Sequence, residues 1–281
     1  MSALNNKIDF AVILSVTNAN PNGDPLNGNR PRINYDGHGE ISDVCIKRKI
    51  RNRLMDMGEP VFVQSDDRRN DGYKSLQDRA KGCEAVQKAA KDKDAYAKAA
   101  CEAWTDVRSF GQVFAFKGED VSVGVRGPVS VHPAISVDPV DLVSIQITKS
   151  VNSVTESKKS SDTMGMKHRV PFGLYIFYGS INCQLAEKTG FSREDADKIK
   201  EALRTLFEND ASSARPDGSM EVCKLYWWEH GCKCGQHSSA KVHHSLHVQK
   251  KEGVDIPHSF ADYVVTLDPL ADLEPEICDG I

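Results

Sequence analysis

KIDFAVILSVT (residues 7–17) and the run that follows it, NANPNGDPLNGNRPR (18–32), decide how the chain is read. The first stretch alternates in part and is rich in β-branched and aromatic residues, so it predicts a strand buried on one face or both. The second holds Asn, Gly and Pro at a density that no helix or strand interior tolerates, and is a long structured loop. Ordered loops of that length in compact domains are commonly functional.

Outward from this pair, Ser42 and Asp43 offer N-caps for a helix over 43–57 that stops at Gly58 before Pro60. Ile46, Ile50, Leu54 and Met57 form its apolar stripe, with Lys47, Arg48 and Arg51 on the other side and Arg53 inside the stripe's own sector. Residues 74–104 are Ala- and Lys-rich and read as one or two helices. Residues 106–137 read as strand, turn and strand, and 142–151 as another strand. Residues 152–168 are polar and lack apolar periodicity, which predicts a protruding hairpin or flexible insertion, and VPFGLYIFYGSINCQL (170–185) is a second core strand. A helix over 193–209 begins at Ser192 with Asp195 in capping-box position. Strands follow at 221–229 and 241–249. This order predicts an α+β fold with helices on one face of an antiparallel sheet, such as a ferredoxin-like βαββαβ core with insertions. The expectation is one elaborated domain over 1–281, with a helical insertion at about 70–105, a hairpin at about 150–170 and an acidic tail at about 262–281.

At 281 residues, 40% hydrophobic and 27% charged, the chain is long enough for a large buried core. No run approaches the roughly 20 apolar residues needed to span a bilayer, so a cytoplasmic protein without membrane contact is expected. The apolar N-terminal run reads as a first strand and not a signal peptide. The eight cysteines follow no framework and are expected to be reduced. The net charge of −4 hides an uneven distribution: residues 262–281 carry six acids and no Lys or Arg, which leaves the remainder at about +2. For a polyanion, the local basic surface matters more than the total.

The densest such surface is the helix segment Lys47, Arg48, Lys49, Arg51 and Arg53, five cations in seven positions, preceded by Arg30 and Arg32 at the end of the Asn/Gly loop. Cations at this spacing can track a phosphate backbone, while Asn22, Asn27 and Asn29 and the loop's main-chain N–H groups can reach phosphate or sugar oxygens. A solvated helix face is the competing reading. A second cluster comprises Lys149, Lys158, Lys159, Lys167, His168 and Arg169, with Met164 and Met166 inside it. It fits a fingertip that meets phosphates and wedges an apolar group between bases, though a disordered polar loop has the same composition. His230, Cys232, Cys234 and His237 invite a zinc site, with His243, His244 and His247 in reserve. Cys-x-Cys is not the usual knuckle, however, and the 243–247 segment reads better as a strand with partly exposed imidazoles. No G-x-S-x-G, Walker A or H-E-x-x-H motif is present. Asp24 and His38 leave acid–base or metal-assisted RNA cleavage open, but an Asp in N-G-D-P more often shapes its own turn. No cofactor is called for.

NPNGDPLNGNRPR (20–32), KRKIRNRL (47–54), DVRSFGQVF (106–114), ITKSVN (147–152) and TMGMKHRVPFGLYIFYG (163–179) together resemble the backbone subunit of type I-C CRISPR interference complexes (Cascade), within the RAMP superfamily, over most of the chain. The resemblance implies an RRM-like palm with a helical lobe and a thumb-like hairpin. Several copies would line up head to tail along a guide RNA, holding its backbone so that its bases pair with target DNA. Cutting would belong to other Cascade subunits and a recruited nuclease-helicase, so this chain would not be an enzyme. It also implies RNA-backbone contact by Arg30, Arg32, Lys47, Arg48 and Arg51, and a thumb role for Met164, Met166, Lys167 and His168. The RNP1 aromatic strand motif is missing, which disfavours base reading by stacking. Two other readings stand beside this one: an endoribonuclease, and an assembly protein whose basic face binds a partner's acids.

Overall fold

The computed structural model describes residues 3–116, 122–148 and 164–281. Strand β1 (Ile8–Ala19) is buried on both faces along its first nine residues, because layers of structure cover it from either side. Phe10, Val12 and Leu14 point into one core, and Ala11 and Ile13 into the other. Its neighbours, β10 (Met164–Ile181) and β11 (Met220–Glu229), both run antiparallel to it, with Ile8 opposite Ile181 on one side and Glu229 on the other. The register against β11 slips by one residue at Ile13/Leu14, leaving Cys223 as the bulged residue. β8 (Ala134–Pro139) and β4 (His38–Ile41) extend the sheet beyond β10, and β14 (Glu276–Asp279) closes the far edge, giving the order β14-β11-β1-β10-β8-β4. β7 (Val129–Val131) also pairs with β10.

Helices α1 (Asp43–Asp56) and α7 (Arg193–Arg204) cover one face, placing Ile46, Ile50, Leu54, Ile199 and Leu203 against Phe10 and Val12. Ser42 caps the first by accepting from the Cys45 N–H, and Ser192 with Asp195 closes a full capping box on the second. The opposite face lies under α8 (Ser239–His244) and a hairpin of β12 (Leu246–Lys250) and β13 (Tyr263–Leu267), which bury Ala11, Ile13, Leu174 and Trp228. The short helix α6 (Cys183–Thr189) adds Cys183 and Ala186 to the first of these cores, and is capped by Asn182 and ended by Gly190 at φ 74°.

A helical lobe packs beside this layer. It comprises α2 (Leu76–Gly82), α3 (Glu84–Lys88), α4 (Lys93–Ala103) and α5 (Thr105–Phe110), with a hairpin of β5 (Gly111–Phe114) and β6 (Val123–Arg126). Phe62, Tyr96, Trp104 and Phe114 form its own core, the Phe62 and Trp104 rings 4.6 Å apart. Arg108 ties the lobe to α7: its guanidinium meets the fully buried Asp195 through two bonds, Nε–Oδ2 at 2.9 Å and Nη2–Oδ1 at 2.7 Å. Burial pushes the Asp195 carboxyl up, but Arg108 and the Ser192 cap outweigh it and hold it below the usual carboxylate range.

Strand β10 does not stop at the sheet. Its first six residues, Met164–Arg169, pair with β9 (Val143–Thr148) to form a hairpin that projects past the sheet. Of the hairpin expected at about 150–170, residues 150–163 with Lys158 and Lys159 lie outside the described residues, as does Lys149.

Several expectations change. The strand expected from 106 begins as helix α5, because Asp106 and Arg108 are both buried in ion pairs that a helical turn brings into reach. The strand expected over 241–249 is α8 followed by β12. Ser238 caps that helix by accepting from the Lys241 N–H, and His243 lies buried in it with no role as an exposed strand imidazole. The helix expected to reach 209 ends at Arg204, though Leu206 remains buried in the same core. The acidic segment 262–281 is no loose tail: it supplies β13 and edge strand β14, with Glu276 bonded to Lys200 (2.5 Å) and Asp279 to Lys224 (2.5 Å).

Replacing Arg108 by Met strips a buried carboxylate of its partner and is expected to destabilise the protein by about 3–5 kcal/mol. Urea unfolding at pH 7 measures it. Because the folded carboxyl is depressed, Asp195's contribution is present above the unfolded-state value near about 4 and fades as pH falls through the folded one. The gap between the two proteins therefore narrows in acid.

Candidate nucleic-acid interface

The Asn/Gly loop leaves β1 at Ala19 and is held by its own polar side chains. Asn20 Nδ2 donates to the Asn29 carbonyl at 2.7 Å. Asn22 Oδ1 accepts from both the N–H and the Oγ of Ser42, each at 2.9 Å, fastening the loop to the N-cap of α1. Asp24 accepts from the Leu26 N–H at 3.2 Å and caps a single 3₁₀ turn, Pro25–Asn27. Strands β2 (Gly23–Asp24) and β3 (Arg30–Pro31) then close a two-rung ladder. The Asn29 side chain folds over the bare Cα of Gly23, where a Cβ would sit 2.0 Å from Asn29 Oδ1, and Gly28 and Asn29 both take φ 59°, the left-handed region these residues tolerate. Of the three expected asparagine contacts, Asn22 is therefore turned inward and Asn29 folds over Gly23, while Asn27 stands exposed at the rim.

The loop presents Arg30, which is exposed and has no ion-pair partner among the described residues. Arg32 lies 3.5 Å from Asp24 through Nη2, and its buried Nε has no partner among the described residues. β3 lies against β10, and Arg169 of β10 likewise has a buried Nε with no partner among the described residues.

The five cations of α1 separate into two groups. Lys49, Arg51 and Arg53 turn inward: Lys49 is buried on Asp210, Arg51 Nε meets the fully buried Asp106 at 2.9 Å, and Arg53 Nε reaches Thr205 Oγ1 at 2.7 Å. This answers the anomaly of a cation in the apolar sector, since Arg53 joins α1 to the end of α7. Lys47 and Arg48 stay at the surface. Lys47 makes only an i,i+4 bridge to Asp43 at 2.9 Å, a contact of small worth in water. Arg48 donates from Nη1 to the Val63 carbonyl at 2.6 Å. Burial first, and the neighbouring Arg51 charge second, push its guanidinium below the usual range, so added negative charge is favourable there.

On the projecting hairpin, Met164, Met166 and His168 share one face, with Lys167 on the other. Met164 and Met166 are 63% and 54% exposed. His168 Nδ1 lies 2.7 Å from Ser144 Oγ. The cations of loop and helix and the two methionines are thus each carried on an ordered element: the loop tied to α1, α1 itself, and strand β10.

The other candidates do not assemble. His230 is fully buried, with Nε2 2.8 Å from Asp9 Oδ2 and Nδ1 accepting from the Gln236 N–H at 3.0 Å. His237 Nε2 reaches the Ala271 carbonyl at 3.0 Å. Both nitrogens of His230 are engaged, Cys232 and Cys234 stand exposed, and among the described residues no three metal-ligating groups converge. Asp24 is engaged in its turn and with Arg32, and His38 Nδ1 lies 2.7 Å from the Ser136 carbonyl, so the two do not form an acid–base pair. Among the described residues no helix is long and apolar enough to cross a membrane.

These features define a mixed α/β protein with a large antiparallel sheet and a rigid, partly uncommitted basic surface. Residues 6–268 match the family of CRISPR-associated protein Cas7, and the chain belongs to that family. A CRISPR-associated protein Cas7 of Haloferax volcanii is 26% identical over 227 residues, which cover 74% of this chain and 66% of that relative's length, just under two-thirds. Solved chains from a CRISPR RNA-guided surveillance complex, pre-nicking (TM-score 0.49, 17% identity, 79% of this chain and 75% of that one) and from a CRISPR RNA-guided surveillance complex (0.47, 16%, 79% and 68%) are also similar.

Replacing Asn22 by Ala leaves the Ser42 N–H without its acceptor. The expected cost is about 1–3 kcal/mol, with faster amide exchange across 22–32 and 42–45. Unchanged exchange would show that the loop does not depend on this tie.

Proposed function

We propose that the chain holds a CRISPR guide RNA by its backbone, as one of several copies strung head to tail within a Cascade assembly. It leaves the bases free to pair with target DNA. The observation that carries this reading is the cation set of exposed Arg30 and half-buried Lys47 and Arg48 on a loop and helix that are themselves locked, in a chain of the Cas7 family. Fixed cations meet phosphates without reading bases, so sequence selection passes to base pairing. Arg51 serves this surface by anchoring α1 on Asp106, while Arg32, Lys167, His168 and Arg169 flank it. Met164 and Met166 act as a wedge between stacked bases. The type I-C subtype and the partnership with other Cascade subunits and a recruited nuclease-helicase follow the sequence motifs.

An RRM-like palm is part of this proposal. Counting β1, β8, β10 and β11 as the four strands of a βαββαβ unit, with α1 and α7 as its helices, the sheet runs fourth, first, third, second, all antiparallel. The lobe and the β9–β10 hairpin are then insertions in that unit. Catalysis is assigned to other proteins.

Purified protein titrated with a guide-length single-stranded RNA through a salt series tests the reading. Wild type should bind steeply with falling salt and leave the RNA whole, and Arg30→Ala and Lys47→Ala should each flatten the slope by about 0.7. Cleavage of the RNA, or salt-independent binding, would contradict it.

A further inference from the structure

The segment that leaves the Asn/Gly loop carries its two arginines on one side. Pro31 between them is buried, so by the alternation of an extended chain Arg30 and Arg32 both face outward, the first exposed and the second partly so. The chain then forms a narrow ribbon with β4: Ile33 bridges to Gly39, and the Arg32 carbonyl accepts from the Glu40 N–H at 2.9 Å. At the end of this ribbon, within about 10 Å of Arg32 at an extended rise, the turn 34–38 reverses the chain into β4.

Tyr35 stands on that turn and is 100% exposed, its ring wholly in solvent. The turn beneath it is fixed. The Asn34 N–H donates to the His38 carbonyl at 2.8 Å, Asn34 Oδ1 accepts from the His38 N–H at 2.9 Å, and the Gly37 N–H donates to the Asn34 carbonyl at 3.3 Å. Gly37 takes φ 87°, which glycine alone adopts without cost. Two further contacts hold the turn to the strand β8 and the residue after it: the Val140 N–H donates to the Gly37 carbonyl at 3.0 Å, and His38 Nδ1 lies 2.7 Å from the Ser136 carbonyl. An aromatic ring on so fixed a backbone loses little freedom when a partner stacks on it. Its chain neighbours are Asn34 and exposed Asp36. Polar flanks of this kind do not make the broad apolar patch of a protein-binding surface, and the Asp36 charge repels a phosphate. The uncharged face of a nucleobase fits the ring.

We infer that Tyr35 is a stacking platform for one base of the bound RNA, set at the end of the short track on which Arg30 and Arg32 meet its phosphates. Every base offers a π face, so stacking here adds affinity without selecting sequence. This rests on the guide-RNA reading above and adds a base contact to it.

The test repeats the salt series on the full chain with Tyr35→Ala and Tyr35→Phe, using guide-length single-stranded RNA and an abasic ribose-phosphate polymer of the same length. Tyr35→Ala should weaken binding to RNA roughly tenfold at fixed salt. Its salt slope should stay that of wild type, because no phosphate contact is lost. Tyr35→Phe keeps the ring and should bind as wild type does. On the abasic polymer all three proteins should bind alike. Substitution at so exposed a position leaves folding intact, and thermal melting checks this. Wild-type affinity of Tyr35→Ala for RNA overturns this inference while leaving the guide-RNA reading intact. An equal loss on the abasic polymer also overturns it, because the ring then serves the backbone. So does a Tyr35→Phe protein as weak as Tyr35→Ala, since the hydroxyl is then what binds. If wild type itself binds RNA without salt dependence, the guide-RNA reading falls and this inference with it.

Discussion

Asp106 is fully buried, and its carboxylate holds the basic helix and the helical lobe together. It accepts from the Phe62 N–H at 2.6 Å, the Val63 N–H at 3.1 Å and Arg51 Nε at 2.9 Å. Arg51 also lies over the Phe110 ring, 5.0 Å from its centroid. A carboxylate in this setting is tolerable only because every approach to it is a donor. The arrangement fixes the rotation of α1 about its axis. With Lys49, Arg51 and Arg53 drawn to acids and hydroxyls inside, Lys47 and Arg48 are left half-buried at the surface.

The same economy of roles appears in the loop. Asn20 and Asp24 satisfy the loop's own main chain and Asn22 ties it to the cap of α1, so on the proposed reading RNA would meet a preset surface and little ordering entropy would be lost on binding. The sheet extends this rigidity outward. β10 runs unbroken from the core into the projecting hairpin, so Met164 and Met166 stand on a strand whose far end is clamped between β1 and β8. Position in the core thereby sets position at the tip.

Much of this was legible in the residues. β1, α1, the start of α7 and β11 follow apolar periodicity and caps, and those signals are local. The Asn/Gly loop stood out by composition alone. What could not be read was direction. Nothing in KRKIRNRL says which cations turn inward, because Asp106 and Asp210 lie 55 and 161 residues away from their partners. The short helices α5 and α8 were missed for the same reason: their stability comes from tertiary ion pairs and packing, and β-branched content outweighed a single cap.

On the proposed reading the basic surface grips the backbone and is indifferent to base identity. Its most direct test is the affinity of the full chain for several single-stranded RNAs of equal length and unrelated sequence at one salt concentration. Dissociation constants within about threefold of one another, under 1 kcal/mol of spread, are what the account predicts. A preference of about a hundredfold or more for one sequence would mean that bases are being read by hydrogen bonds or stacking, and would contradict it.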